Sequence, residues 1–268
     1  MTRRFHFEHP GRTGGVTLIE LVITIALTGI LGALIVQFVA PVRSYIDSSR
    51  RAALADAADT ALRRIGRDVR LALPNSVRVT TNAGVTYLEF LLVRTGGRYR
   101  LENAASTSTG CPGGAGTDPA LDVLSFGDSG ENCFKTIGNI ANLSQVTTSD
   151  FAVVFNLSPG TPNADAYEFA GTGGNKSQIS AAVAGAGEDR IAFAGNSFTF
   201  ESPGRRFFII EGPVTYACDP AGGTLKRYSG YAIAPAQPTP PAGTGALLAS
   251  GVTTPCSITY DNSLAAQG

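Results

Sequence analysis

The sequence predicts an α+β protein in which one long N-terminal helix packs on an antiparallel β-sheet with disulfide-closed loops. An apolar run at residues 16–40 leads into residues 41–75, where apolar side chains recur at three- and four-residue steps, as on one face of a helix. From residue 76 to 268 short alternating or β-branched runs are separated by Gly, Pro and Asn, which is typical of antiparallel strands. With a leader at 1–15, these segments divide the chain into four parts.

Composition argues against two broad functions. The chain has 268 residues, with 21 Lys+Arg balanced by 21 Asp+Glu, so no excess of positive charge favours binding to nucleic acid. Its two histidines, His6 and His9, both precede the apolar run, so removal of the leader leaves no histidine for a catalytic triad or a His-containing metal site. We therefore expect a non-enzymatic protein without a cofactor.

The apolar run at 16–40 is predicted to cross a membrane. It carries one charge, Glu20, and at about 1.5 Å per residue a helix of this length crosses a hydrocarbon layer of about 30 Å. Arginines outnumber Glu8 ahead of it, which places the N-terminus in the cytoplasm and the chain beyond about residue 41 outside. A cleaved secretory signal and an uncleaved signal anchor are the other interpretations, and hydropathy alone does not separate them.

The junction ahead of the apolar run resembles the type IV prepilin signature. The matching stretch, 14–22, reads Gly-Gly-Val-Thr-Leu-Ile-Glu-Leu-Val, and it departs from the commonest form in having Val16 where phenylalanine is usual. The resemblance implies the type IV pilin fold, with cleavage between Gly15 and Val16 by a prepilin peptidase on the cytoplasmic side and N-methylation of Val16. The leader at 1–15 would then be removed, and the apolar helix would stay on the mature protein.

Glu20 is the fifth residue of that mature chain. A carboxylate in an apolar helix costs about 2.5 kcal/mol or more near the bilayer centre, so it tends to be kept for a reason. The resemblance implies that Glu20 accepts the new amino terminus, of its own or a neighbouring subunit, during assembly. The other interpretation is that Glu20, near the start of the helix, reaches the membrane interface and pairs with nothing.

The second half of the helix is predicted to be amphipathic. Pro41 is expected to kink or break the helix by removing a donor, and the helix is expected to end before Pro74. Five arginines lie between residues 50 and 67, and they form either a solvated face or a contact with another subunit.

Short strands are predicted throughout the last part of the chain. Three turns, at 96–97, 202–204 and 220–223, are predicted as hairpins, while 103–120 and 234–251 are predicted as surface loops. The predicted strands are Val77–Thr80, Tyr87–Arg94, Arg98–Leu101, Asp122–Phe126, Phe151–Phe155, Arg190–Ala192, Ser197–Phe200, Arg205–Glu211, Val214–Cys218, Leu225–Tyr231 and Ser257–Tyr260. Similar proteins continue with further strands beyond this point, so we expect either that this chain is a short family member or that it is truncated and its sheet has an open edge.

Four cysteines lie on the predicted exported side, where oxidising conditions favour disulfides. Three pairings are possible, and we favour Cys111 with Cys133 and Cys218 with Cys256, because each closes a Gly/Pro-rich loop.

Two other sequence patterns are weaker. Residues 171–177 resemble a phosphate loop but lack its glycine before Lys176, so we expect a flexible turn; the acidic group Asp118, Asp122, Asp128 and Glu131 lacks EF-hand spacing and is assigned no metal.

Within the pilins, the chain resembles the minor pilin O family of mannose-sensitive haemagglutinin pili, at residues 45–51, 64–79 and 227–231. The resemblance implies an inner-membrane protein with its C-terminal domain in the periplasm that later enters the pilus, primes assembly at or near the tip and supports adhesion. Its implied partners are the prepilin peptidase, other minor and major pilins and the inner-membrane assembly platform. A J-type pseudopilin of type II secretion and a pilus-tip adhesin are the alternatives.

Overall fold

In the computed structural model, the described residues are 14–101, 123–127, 131–168, 173–195 and 198–261. The chain divides into two compact units, Met1–Asp56 and Ala57–Gly268. The described part of the first unit is almost entirely helical, whereas the second unit contains the end of the helix and all nine described strands. The chain is therefore α+β, as the sequence predicts.

Helix α1 runs from Leu18 to Arg70 and continues through Pro41. Of the two outcomes expected at Pro41, the break does not occur, because a proline removes one N–H from the ladder while the bonds on either side remain. The helix ends before Pro74, as predicted. Its last turn tightens, with the amides of Leu71 and Ala72 donating to the carbonyls three residues earlier, at Asp68 and Val69.

Nine strands form the described sheet, and every pairing is antiparallel. Their order is β1-β2-β7-β4-β5-β6-β3, with β8 pairing with β7 and β9 pairing with β8. The strands are β1 Arg78–Asn82, β2 Val85–Arg98, β3 Cys133–Lys135, β4 Phe151–Val154, β5 Lys176–Val183, β6 Arg190–Phe193, β7 Arg206–Asp219, β8 Thr224–Ser229 and β9 Ala246–Ser250.

Several predicted strand boundaries were wrong. The sequence prediction missed β3, β5 and β9, and β9 lies inside the stretch expected to be a surface loop at 234–251. Conversely, the described parts of three predicted strands, 122–126, 197–200 and 257–260, have no strand assignment. The predicted hairpin at 220–223 is correct, because it joins β7 to β8, whereas the turn at 202–204 precedes β7 and does not join two paired strands.

The predicted turn at Gly96–Gly97 is instead the interior of β2. A Cβ at Gly96 would lie 2.7 Å from the backbone oxygen of Phe207, and one at Gly97 would lie 2.6 Å from Ile140 Cγ2. These glycines are therefore needed for close approach of the neighbouring strand and side chain, and a turn is not their role.

Two predicted strands, 205–211 and 214–218, are one strand, β7, that passes through Gly212 and Pro213. On one flank β7 pairs with β4 at residues 207–210 and then with β8 at residues 214–219. Pro213 thus lies in the gap between these two partners, where a residue without an N–H is tolerated. The other flank pairs with β2 along almost the whole strand.

The second unit has an aromatic core at one end of the sheet and a smaller cluster under the helix. In the first, the rings of Phe134 and Phe207 meet edge to face with centroids 4.9 Å apart. In the second, Ile65 of α1 packs against a group on β2 and β7, namely Leu88, Phe90, Val214 and Tyr216. The last turns of α1 therefore pack against β2 and β7.

Candidate functional site

The peptide bond between Gly15 and Val16 lies in exposed, non-helical backbone. Residues 14–17 have no regular secondary structure, all four are exposed, and α1 begins at Leu18. A Cβ at Gly14 or Gly15 would meet no atom within 4 Å. The bond therefore lies in exposed backbone among the described residues, while residues 1–13 lie outside them.

Thr17 caps the start of α1. The backbone N–H of Glu20 donates to Thr17 Oγ1 at 3.3 Å, and the N–H of Leu21 donates to the Thr17 carbonyl at 3.1 Å. Thr17-x-x-Glu20 is the spacing of a capping box, in which the first hydroxyl satisfies an orphan N–H of the first turn. This role for Thr17 was not predicted, although the Thr-x-x-Glu spacing before an apolar run is the sequence signal for it.

Glu20 lies in the first turn of α1, close to the positive end of the helix dipole. The dipole and the cap give the carboxylate a local reason to occupy this position, besides the pairing with an amino terminus that the resemblance implies. Glu20 is also exposed. An incoming positive group therefore has access to it.

The apolar helix behind this junction is entirely uncovered in the structure. The segment Leu18–Gln37 has a mean hydropathy of 2.4, and none of it is buried. Burial of such a surface is strongly favourable, and a segment of this length and composition suits a single membrane span or a signal anchor.

Two of the four cysteines are joined by a described disulfide. Cys218, at the end of β7, bonds to Cys256 across a Cα–Cα distance of 6.4 Å. This is one of the two pairings favoured from the sequence, and it ties the C-terminal segment to the sheet. Cys133 on β3 is fully buried and disulfide-bonded, whereas Cys111 lies outside the described residues.

The phosphate-loop-like stretch is not a flexible turn at its end. Lys176 and Ser177 begin β5, and Lys176 Nζ donates to the carbonyl of Ala166 at 2.6 Å. Burial lowers the pKa of Lys176 to about 8, while Asp165 acts in the opposite direction. The lysine thus supports the sheet, and the expectation of a flexible turn was wrong at residues 176–177, where pairing with β4 orders the backbone.

Of the four acidic residues considered for a metal, Glu131 alone is described. Its carboxylate accepts backbone N–H bonds from Ser125, Asn132 and Cys133 at 2.9–3.1 Å. Burial raises the pKa of Glu131, and these hydrogen bonds oppose the shift. Glu131 therefore fixes the chain before β3. Asp118, Asp122 and Asp128 lie outside the described residues.

Two buried polar clusters were not foreseen from the sequence. In the first, Asp68 of α1 accepts hydrogen bonds from Arg227 Nε and Tyr216 Oη, each at 2.7 Å. Burial, followed by the Asp68 contact, raises the pKa of Tyr216 to about 12. Because α1 supplies the carboxylate and β7 and β8 supply its partners, this cluster fastens the end of the helix to the sheet.

The second cluster surrounds Glu89 of β2, which is fully buried. Arg78 Nη2 lies 2.5 Å from Glu89 Oε1, and the hydroxyls of Thr215 and Tyr231 donate to Oε2 at 3.1 and 3.0 Å. Arg78 also stacks 3.6 Å from the ring centroid of Tyr167. Burial, then Glu89, raises the pKa of Tyr231. Each of these side chains makes an ion pair, a hydrogen bond or a stacking contact with another member of the cluster, so the cluster fixes the arrangement of side chains in this part of the core.

No protein-family model matches the chain, and no curated protein or solved structure matches it. Among the described residues, no group of three or more His, Cys, Asp and Glu side chains could hold a metal ion. The candidate site is therefore defined by its own geometry: an open Gly15–Val16 bond, the Thr17 cap, the Glu20 carboxylate and the uncovered helix behind them.

Proposed function

We propose that this chain is a minor type IV pilin of the mannose-sensitive haemagglutinin type. It enters the inner membrane through the helix at 16–40, with its C-terminal domain in the periplasm. A prepilin peptidase cuts it between Gly15 and Val16 and methylates Val16. It then joins other minor and major pilins on the assembly platform, where it primes the pilus at or near the tip and supports adhesion. The proposal assigns it no catalytic activity and no cofactor.

The observation that carries the proposal is the arrangement at the helix start. The bond proposed to be cut lies in exposed, non-helical backbone two residues before α1, so a protease can bind it without unwinding a helix. Thr17 holds the first turn after the bond, and the cap involves no residue before the cut. Cleavage would therefore leave a capped helix with a free amine on Val16.

Glu20 is suited to receive that amine. It lies four residues from Val16, exposed in the first turn of α1, and the non-helical backbone of residues 16 and 17 leads from the amine to that turn. A charge-assisted hydrogen bond between an ammonium and a carboxylate is stronger in a low-dielectric environment than in water. Pairing with a neighbouring subunit would neutralise both charges as the helix moves from the membrane into the filament.

We expect Glu20→Ala to separate insertion from assembly. The substitution removes the one charge of the apolar run, so membrane insertion and cleavage should continue, while incorporation into pili should fall at least tenfold. The matched control is Asp47→Ala, which removes an exposed carboxylate farther along the same helix. Immunoblots of sheared pili and of membranes would measure both quantities, and wild-type incorporation of the Glu20 variant would refute the pairing.

A further inference from the structure

The last turns of α1 have two faces of different character. Ala61, Ile65 and Asp68 form the inner face; Ala61 and Asp68 are buried, and Ile65 packs against the cluster on β2 and β7. The outer face is exposed and consists of Leu62, Arg63, Gly66, Arg67, Arg70 and, just after the helix, Leu71. We call these six residues the arginine face.

The arginine face carries an excess of positive charge. Asp68, which lies on the inner face, is paired with Arg227 and therefore does not balance the charge of these arginines. Arg63 pairs with Asp59 at 2.7 Å, but both side chains are more than half exposed, so this ion pair contributes little and exchanges readily. Within the described part of the chain, Arg67 and Arg70 form no ion pair.

The shape of this face suits a contact with another helix. Its residues line a shallow groove, and a Cβ at Gly66 would meet nothing within 4 Å, so the middle of the groove is open. Leu62, at the N-terminal end of this face, is 64% exposed. The groove thus combines positive walls with one apolar end.

We propose that the arginine face docks an acidic helix of a neighbouring pilin subunit. The Cβ atoms of residues three or four apart on one helix face are about 5–6 Å apart, so carboxylates at this spacing match the repeat of Arg63, Arg67 and Arg70 along α1. An apolar side chain beside those carboxylates would cover Leu62. This interface rests on the proposed pilin function, and it favours a subunit contact over a solvated face for Arg63 and Arg67, two of the five arginines between residues 50 and 67.

The test uses the full chain in uncharged detergent micelles and a defined probe. The probe is a fluorescent amphipathic helical peptide with Glu at three- and four-residue spacing beside a leucine stripe. A second peptide carries Gln in place of every Glu. Binding is measured by fluorescence anisotropy at several salt concentrations, because pairing of exposed charges weakens with ionic strength.

The deciding variant is R67E/R70E, and its matched control is R50E/R51E, which makes the same charge change on exposed positions of the same helix. We expect R67E/R70E to bind the Glu peptide at least tenfold more weakly, R50E/R51E to stay within twofold of the wild type, and the Gln peptide to bind weakly to all three. Equal losses in both variants would overturn the proposal, because general charge attraction would then explain the binding.

Anionic phosphatidylglycerol vesicles provide the competing outcome. If R67E/R70E loses vesicle binding while Glu-peptide binding is unchanged, the face binds lipid and the proposal is wrong. Prepilin peptidase cleavage of each variant separates this test from the pilin proposal. Normal cleavage with no dependence on Arg67 and Arg70 would remove the interface alone, whereas an uncleaved wild-type chain would remove the pilin function that the interface needs.

Discussion

At the scale of single residues, Lys176 shows how a buried charge reports on the fold. Its Nζ is bonded to the Ala166 carbonyl and lies 5.5 Å from the ring centroid of Phe151. Burial lowers its pKa from 10.5 to about 8. The unfolded chain therefore holds the proton more tightly than the folded chain does, and the charged lysine destabilises the fold near neutral pH.

The sign of this pH dependence is fixed by the lowered pKa. Between pH 8 and 10.5 the unfolded lysine is protonated while the folded one loses its proton, so this group makes the free energy of unfolding rise with pH by at most about 1.4 kcal/mol per unit. The contribution is lost as pH falls through about 8. Urea unfolding of the full chain in micelles, from pH 7.5 to 9.5, would measure this rise in the free energy of unfolding. The range is chosen to stay below the pH at which tyrosine side chains titrate.

Two substitutions at Lys176 distinguish charge from packing. Lys176→Met should remove the rise with pH, because no ionisable group remains, and Lys176→Arg should also remove it, because arginine keeps its charge. The arginine variant should be the less stable of the two, since it retains the buried charge. An unchanged slope in Lys176→Met would show that another group causes the pH dependence.

The residue scale also shows what the sequence does and does not reveal. Glu20 is conspicuous because it is the one charge in an apolar run, and Cys218 and Cys256 are conspicuous because their loop lacks a core. Arg227 and Asp68 give no such signal, because they are separated by 159 residues and each looks like an ordinary surface charge. Only the fold shows that they form a buried pair.

At the scale of elements, the pair Asp68–Arg227 fastens α1 to the sheet. The two side chains are 12% and 14% exposed, so removal of one leaves a largely buried charge with an incomplete set of partners. We expect Arg227→Leu to lower the free energy of unfolding by about 3 kcal/mol. Arg63→Leu, at an exposed pair on the same helix, should cost less than about 1 kcal/mol.

Urea unfolding followed by circular dichroism would measure both values in the full chain. The loss of unfolding free energy should be larger for Arg227→Leu than for Arg63→Leu, because only Arg227→Leu leaves a largely buried carboxylate, Asp68, without its arginine. Similar costs for Arg227→Leu and Arg63→Leu would mean that the helix is held to the sheet by apolar contacts alone.

The glycines of β2 give a second prediction at this scale. Gly96→Ala should destabilise the fold by about 1–3 kcal/mol, because its Cβ would lie 2.7 Å from the backbone oxygen of Phe207, which cannot move without breaking the strand pair. Gly66→Ala, in α1 with open space around it, should stabilise the helix by about 0.5–1 kcal/mol. Thermal unfolding should show a lower melting temperature for Gly96→Ala and a higher one for Gly66→Ala. An unchanged melting temperature for Gly96→Ala would contradict the steric role of Gly96.

Strand prediction failed where the local residue pattern suggests one structure and tertiary packing requires another. Gly96–Gly97 and Gly212–Pro213 look like turns, yet the first pair permits close packing and the second lies in the gap between β4 and β8. In the opposite direction, β9 was missed because its residues are small and lie in a Gly/Pro-rich stretch. Its strand conformation depends on pairing with β8, which residue propensity does not predict.

At the scale of the whole molecule, the sequence predicts the long helix better than it predicts the sheet. The apolar composition and three- and four-residue repeats of α1 act locally, so the long helix could be predicted almost to its end at Arg70. The sheet of the second unit joins strands far apart in sequence, such as β2 with β7, and its order could not be derived from local pattern.

The proposed function begins with cleavage of the Gly15–Val16 bond and methylation of the new amino terminus at Val16. Mass spectrometry of the N-terminal peptide, from cells with and without the prepilin peptidase, tests this step. We expect a peptide that starts at N-methylated Val16 only when the peptidase is present. An intact leader in both strains, or a start beyond residue 33, would contradict it, and the role proposed for Glu20 would be lost as well.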